Sequence, residues 1–133
     1  MIKDVFHTNS YREKLLNDIG VKTPESDLNE KDWMHFSRNK YLGEEFIREF
    51  QDFVSWGNIC IIHNFTDDFL YEFKHKVDWN VYFRYQKTSA AVMKKFILKS
   101  NIEDVSKTVN ALLTVAQKQE IQKMLDIKYL FTN

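Results

Sequence analysis

Between residues 33 and 101 the large apolar side chains return at a fixed interval of 23 residues. Counting Trp33, Trp56 and Trp79 as position one, position four holds Phe36, Ile59 and Tyr82. Position eighteen holds Phe50, Phe73 and Phe96. Positions one and four are one helical turn apart, which predicts a short helix starting near each Trp. Polar residues follow at positions eight and nine. Position eleven is Gly43, Thr66 and Ser89, all good helix N-caps. A second apolar set follows at positions fourteen, fifteen, eighteen and twenty-two: Phe46, Ile47, Phe50 and Val54, then Phe69, Leu70, Phe73 and Val77. That spacing traces one face of a second helix. Glu44 with Glu45, and Asp67 with Asp68, sit in its first turn, where carboxylates favour the helix dipole. The third block has Ala90 and Ala91 there, keeps Val92, Met93 and Phe96, and has Ser100 where Val is expected. A period of this length predicts a repeat array, each unit burying its apolar face against its neighbours.

The flanks depart from the period. Thr8, Asn9 or Ser10 is placed to cap a helix carrying Tyr11, Leu15, Leu16 and Ile19, with Gly20 as its C-terminal cap. Thr23, Pro24 and Glu25 start a second short helix leading through Leu28 towards Trp33. Residues 1–32 thus read as an N-terminal helical cap. Beyond Asn101, Ile102 stands where a fourth Trp would fall and Val105 stands at position four. Thr114 and Gln117 form a capping box ahead of Ile121, Met124 and Leu125. Residues 102–133 read as a divergent fourth repeat closing the array. Tyr129, Leu130 and Phe131 are expected to pack back onto it, the alternative being a sticky tail. The fold class is therefore all-α: one domain over 1–133, with about three and a half two-helix repeats and divergent ends.

Composition supports helices and narrows the chemistry. Only three Gly and one Pro occur in 133 residues, too few for the turns of a β-rich fold. At 44% hydrophobic and 15% aromatic, the chain has the means to bury a core. Net charge is zero, but unevenly spread. Residues 1–81 carry 10 Lys/Arg against 15 Asp/Glu, and residues 82–133 carry 9 against 4. The C-terminal part therefore suits an acidic partner and the N-terminal part a basic one. A single cysteine, Cys60, excludes an internal disulfide and fits a reducing compartment. No apolar run approaches the roughly 20 residues of a membrane span. The opening MIKDVFHTNS lacks the apolar core of a signal peptide. The expectation is a cytoplasmic protein without a membrane partner.

The blocks read Trp-x-x-apolar, a cap, two acids, Phe-Ile or Phe-Leu, x-x-Phe, and Val before the next Trp. This pattern resembles a helical repeat of tailed phages and large DNA viruses, whose usual form is W-x-x-I-S, a Gln, L-S-E-x-F-I, then V-x-W. Trp33, Phe36, Ser37, Leu42, Glu44, Phe46 and Ile47 carry the resemblance in the first block. Trp56, Ile59, Asp67, Phe69, Leu70 and Val77 carry it in the second, and Trp79, Gln86 and Ser89 in the third. It covers about half the chain and weakens at both ends. The resemblance implies a viral or mobile-element origin and a short α-helical array. Its motif residues are core and caps, so it implies no catalytic chemistry.

Candidate chemistry is sparse. Cys60 and His63 have a zinc-ligand spacing, but a structural site needs four ligands, and only His75 is near. A small, partly buried residue accounts for Cys60, whose equivalents are Ser37 and Phe83. No nucleophile lies beside a base in a Gly-rich turn, and adjacent acids on a helix do not face each other. No Gly-rich phosphate loop occurs. The expectation is no enzyme, no metal and no cofactor. The stretch 82–99 mixes cations with aromatics, as nucleic-acid contacts require, through Arg84, Lys87, Lys94, Lys95 and Lys99. A solvated helix face is the plainer account, since the domain as a whole is neutral. Ile61 and Ile62 break the pattern, standing where the other blocks have Arg38 with Asn39 and Arg84 with Tyr85.

These readings lead to a non-enzymatic protein-binding module. Its concrete form is a phage or viral accessory protein that binds a host protein, such as an immunity effector, and inhibits it by occlusion. Arg38, Tyr41, Ile61, Ile62, Arg84 and Tyr85 are the expected contact residues. Nucleic-acid binding and a self-assembling virion component are the alternatives.

Overall fold

The computed structural model describes residues 9–132. Thr8, one of the three expected caps, lies outside them, as do the other residues of 1–8 and Asn133. Within the described residues the chain forms eight α-helices and three 3-10 turns, with no strand. The helices are α1 (Asn9–Asp18), α2 (Glu30–Ser37), α3 (Glu44–Glu49), α4 (Trp56–Ile62), α5 (Asp67–Glu72), α6 (Trp79–Tyr85), α7 (Ala90–Phe96) and α8 (Val115–Thr132). The all-α class is as expected, and the element starts keep the period: α3, α5 and α7 begin at Glu44, Asp67 and Ala90, while α4 and α6 begin at Trp56 and Trp79. Packing divides the chain into two compact units, Met1–Ser55 and Trp56–Asn133, so the division falls between the first and second 23-residue blocks.

In the first unit α1 ends as its sequence predicts. Gly20 takes φ +87°. Its N–H reaches the Asn17 carbonyl at 2.9 Å and that of Val21 reaches the Leu16 carbonyl at 2.9 Å, the pair of bonds that closes a helix with a left-handed residue. Leu16 and Val21 are buried beneath the turn. The expected second helix is only a 3-10 turn, Glu25–Asp27, with Pro24 preceding rather than opening it. The helix carrying Trp33 begins three residues before the Trp, because Asn29 and Asp32 cap it reciprocally, each side chain accepting the other's backbone N–H at 2.9 Å. Arg12 is clamped by Glu25 at 2.5 Å and Glu49 at 2.7 Å, with its guanidinium 4.5 Å from the Phe50 ring centroid.

Each block closes on the same aromatic pair. Trp33 meets Phe50 at 5.1 Å, Trp56 meets Phe73 at 5.6 Å and Trp79 meets Phe96 at 4.4 Å between ring centroids. Such pairs add about 0.5–1.5 kcal/mol beyond area burial. Helices of six or seven residues are too short to persist alone in water, so these contacts are what sustain them. Position ten adds a core layer that the periodic reading passed over: Leu42, Phe65 and Thr88 are all buried.

A second recurring link joins position five to the last residue of its block. The Ser37 hydroxyl donates to the Trp33 carbonyl at 2.6 Å and accepts the Ser55 N–H at 2.8 Å. In the second block the buried Cys60 sulfur accepts the Asp78 N–H. In the third, Phe83 cannot serve, and Asn80 takes the Asn101 N–H instead at 2.5 Å.

The end of the second unit follows its own geometry. Ser100, where Val was expected, is buried; its hydroxyl donates to the Ile97 carbonyl at 2.6 Å and accepts the Ile102 N–H at 3.2 Å. Ile102 is buried as expected, but Val105 opens a 3-10 turn rather than a helix. Thr114 and Gln117 cap α8 reciprocally at 2.9 and 3.1 Å, as their spacing predicts. The buried stripe of α8 runs through Ile121 and Leu125 to Lys128, whose ammonium donates to the carbonyls of Leu98 at 2.7 Å and Ser100 at 2.8 Å. Leu130 and Phe131 lie off that stripe and are 72% and 82% exposed. They do not pack back as expected; Tyr129 is half-buried.

Candidate functional site

The candidate face is built at the ends of α4 and α6. Ile59 and Cys60 are fully buried, so the next two residues, each turned a further ~100° around the helix, swing outward. Ile61 and Ile62 are accordingly 39% and 40% exposed. The same logic acts in α6, where Tyr82 and Phe83 are fully buried and Arg84 and Tyr85 turn to the surface, Tyr85 at 57% exposure. Ile61 and Arg84 hold equivalent positions, as do Ile62 and Tyr85.

Hydrogen bonds hold these two helix ends side by side. The Gln86 amide donates to the Ile61 carbonyl at 2.6 Å and the Cys60 carbonyl at 3.3 Å. Both carbonyls lie in the last turn of α4, where the helix itself leaves acceptors unsatisfied. In return the Asn64 amide donates to the Lys87 carbonyl at 2.9 Å. Below, the Tyr82 hydroxyl accepts the Phe65 N–H at 2.8 Å, and the two rings stack with centroids 6.1 Å apart. Ser89 donates to Asp67 at 2.9 Å, tying the cap of α7 to the first turn of α5. The isoleucines therefore stand on a backbone fixed from beneath.

Of the six expected contact residues, the structure brings together Ile61, Ile62, Arg84 and Tyr85 in the second unit. Arg38 and Tyr41 belong to the first, both exposed, Tyr41 at 80%. The basic set divides. The Lys94 ammonium is ion-paired with Glu120 at 2.9 Å. Arg84 donates to the Asn80 carbonyl at 3.3 Å and the Asn101 side chain at 3.1 Å. Lys87, Lys95 and Lys99 are exposed, and among the described residues neither they nor Arg84 enters an ion pair. Tyr85 is the exposed aromatic of this stretch, since Tyr82, Phe83 and Phe96 are core. Gln86 and Asn64 are the positioning residues that sequence reasoning missed. Gln86 was legible only as a motif letter, because its acceptors lie 25 and 26 positions earlier in the chain.

The remaining polar groups have structural duties. Burial pushes the Cys60 thiol up to about 12, against the opposing pull of the Asp78 N–H, so a nucleophilic thiolate is not available near neutral pH. His63 is buried and stacks on Phe65 at 6.1 Å, whereas His75 is exposed. Among the described residues no group of three or more His, Cys, Asp or Glu is arranged to hold a metal ion. The carboxylates at the helix starts are likewise engaged: Glu45 accepts from the Tyr11 hydroxyl, and Asp67 from Ser89. A cleft of about 830 Å³ in the first unit is walled by the clamped Arg12, Glu25, Trp33 and Phe53. No helix among the described residues is long and apolar enough to cross a membrane. Compared with known proteins, the chain matches no family model, and neither the curated proteins nor the solved structures give a significant match.

Proposed function

We propose that this chain is a non-enzymatic protein-binding module. In its concrete form it is a phage or viral accessory protein that acts in the host cytoplasm, binding a host protein such as an immunity effector and inhibiting it by occlusion. The observation that supports this reading is the exposed apolar row of Ile61, Ile62 and Tyr85, carried on helix ends that Gln86 and Asn64 hold in place. A preformed apolar row with a polar surround suits the centre of an interface, because little ordering cost remains when the partner arrives. The viral part of the proposal rests on the repeat pattern alone.

The test is a tagged pull-down from host lysate, with and without nuclease, read by mass spectrometry and repeated with Ile61→Asp/Ile62→Asp. One or two host proteins should survive nuclease and be lost with the double variant, while the helical circular dichroism signal stays intact. Retention by the double variant would remove this face.

Nucleic-acid binding is the second reading, supported by the exposed cations Arg84, Lys87, Lys95 and Lys99, with Lys94 set aside by Glu120. It requires affinity that falls steeply with salt. Binding insensitive to salt, or none, sinks it. Self-assembly through the exposed Leu130 and Phe131 is checked by light scattering, where a monomer at high concentration counts against it.

A further inference from the structure

We infer that the α4–α6 face takes an acidic, amphipathic segment of a partner protein, its aliphatic or aromatic side chains on Ile61, Ile62 and Tyr85 and its carboxylates on Arg84 and Lys87. This rests on the reading of the chain as a protein-binding module and specifies the partner's chemistry.

The apolar part of the argument is the row itself, exposed on both helix ends and aligned because Ile61 with Arg84, and Ile62 with Tyr85, are repeat equivalents. The charged part is the lack of compensation around it. Arg84 has five N–H donors, and its two contacts are neutral oxygens, the Asn80 carbonyl and the Asn101 side chain, so it is oriented without being neutralised. Lys87 follows directly on Gln86, the residue that joins the two helix ends, and its side chain makes no hydrogen bond or ion pair among the described residues. Asp67, an acid that takes part in this hydrogen-bond network, accepts from Ser89. Residues 82–133 carry a net charge of +5. A basic segment would meet two uncompensated cations here, whereas an acidic one would supply the missing partners.

The same inventory favours protein over nucleic acid. Isoleucine offers no ring for a base to stack on, and Tyr85 is a single platform. Lys94 is spent on Glu120, and Lys128 on the carbonyls of Leu98 and Ser100. An aliphatic pair on a helix end joined to one that carries two exposed cations is matched by a segment that combines apolar and acidic side chains.

Two synthetic peptides of 14 residues test this, sharing one Leu/Phe spacing, with Glu at every polar position of the first and Lys at those of the second. Binding to the full chain is read by fluorescence anisotropy. The acidic peptide is expected to bind at least tenfold more tightly than the basic one. Ile61→Ser/Ile62→Ser should weaken it tenfold or more. Lys87→Glu alone, at a side chain with no contact to lose, should narrow the preference severalfold, and adding Arg84→Glu should invert it. Equal or stronger binding of the basic peptide overturns the inference, as does acidic binding indifferent to the isoleucine pair. Displacement of the acidic peptide by a dT 20-mer that binds the Ile61→Ser/Ile62→Ser chain unchanged overturns it in favour of nucleic acid. If neither peptide binds while a host protein is still retained in the pull-down, the acidic specification fails and the module reading stands. If neither peptide binds and no host protein is retained, both fail.

Discussion

The Cys60 sulfur accepts the backbone N–H of Asp78, as the Ser37 hydroxyl accepts that of Ser55 one block earlier. The cysteine is thus a substitute latch, and its chemistry is that of a buried acceptor. Cys60→Ser should preserve the fold. Cys60→Ala leaves the Asp78 N–H without its acceptor and should cost about 1–3 kcal/mol in urea denaturation. Iodoacetamide should label the thiol only as the protein unfolds. Burial raises the folded pKa to about 12 from an ordinary value of 9.0. The protonated thiol's contribution is therefore complete below pH 9 and is lost as pH rises towards 12. Wild-type stability should fall relative to Cys60→Ser by up to about 1.4 kcal/mol per pH unit across that window. A flat difference between the two would show that the thiol is not buried as described.

Thr88 occupies position ten, where the other blocks place Leu42 and Phe65. Its hydroxyl is buried, and among the described residues it has no hydrogen-bond partner. Valine has nearly the same shape and no such group, so Thr88→Val should stabilise the protein by roughly 1–2 kcal/mol. A loss of stability in thermal or urea melts would mean that the hydroxyl has a partner after all.

Gln86→Leu should destabilise by about 0.5–1.5 kcal/mol, since it removes the bonds to the Ile61 and Cys60 carbonyls at the end of α4. The more telling readout is amide hydrogen exchange. Protection should drop first in α4 and the segment leading to Asn64, while the helix formed by residues 9–18 stays unchanged. Uniform loss of protection would argue against a local clamp.

Gly20 adopts φ +87° with open space around the position of a side chain. Gly20→Ala should therefore cost about 1 kcal/mol or more from backbone strain alone. A neutral outcome would contradict the left-handed helix end.

Arg12 is held between Glu25 and Glu49 at side-chain exposures of 20%, 29% and 10%. Arg12→Met should cost about 2 kcal/mol, because the charge-assisted bonds to Glu25 and to Glu49 are both lost. The loss should shrink as salt rises, because an ion pair near the surface is screened. An unchanged penalty at high salt would assign the effect to packing on Phe50 instead.

What the chain alone determined is local and periodic. Helix class, block length, the caps at Thr66, Ser89 and Thr114, the turn at Gly20 and the burial of Trp33 and Trp79, though not of the half-buried Trp56 and Phe36, all follow from residues within one or two turns of each other or from the 23-residue period. The equivalence of Ile61 and Ile62 with Arg38 and Asn39, and with Arg84 and Tyr85, predicted that at least one isoleucine is exposed, and both are. Tertiary structure decided everything that depends on residues far apart in sequence. It showed that position ten is core, that Lys94 is neutralised by Glu120 from another helix, and that Gln86 closes the end of α4. It also turned Leu130 and Phe131 to the surface, because the stripe that α8 buries is set by where Ile121, Leu125 and Lys128 find their partners. Helical periodicity names two faces of such a segment. Which residues at its end are covered depends on the partner surface, and that surface is assembled from distant parts of the chain.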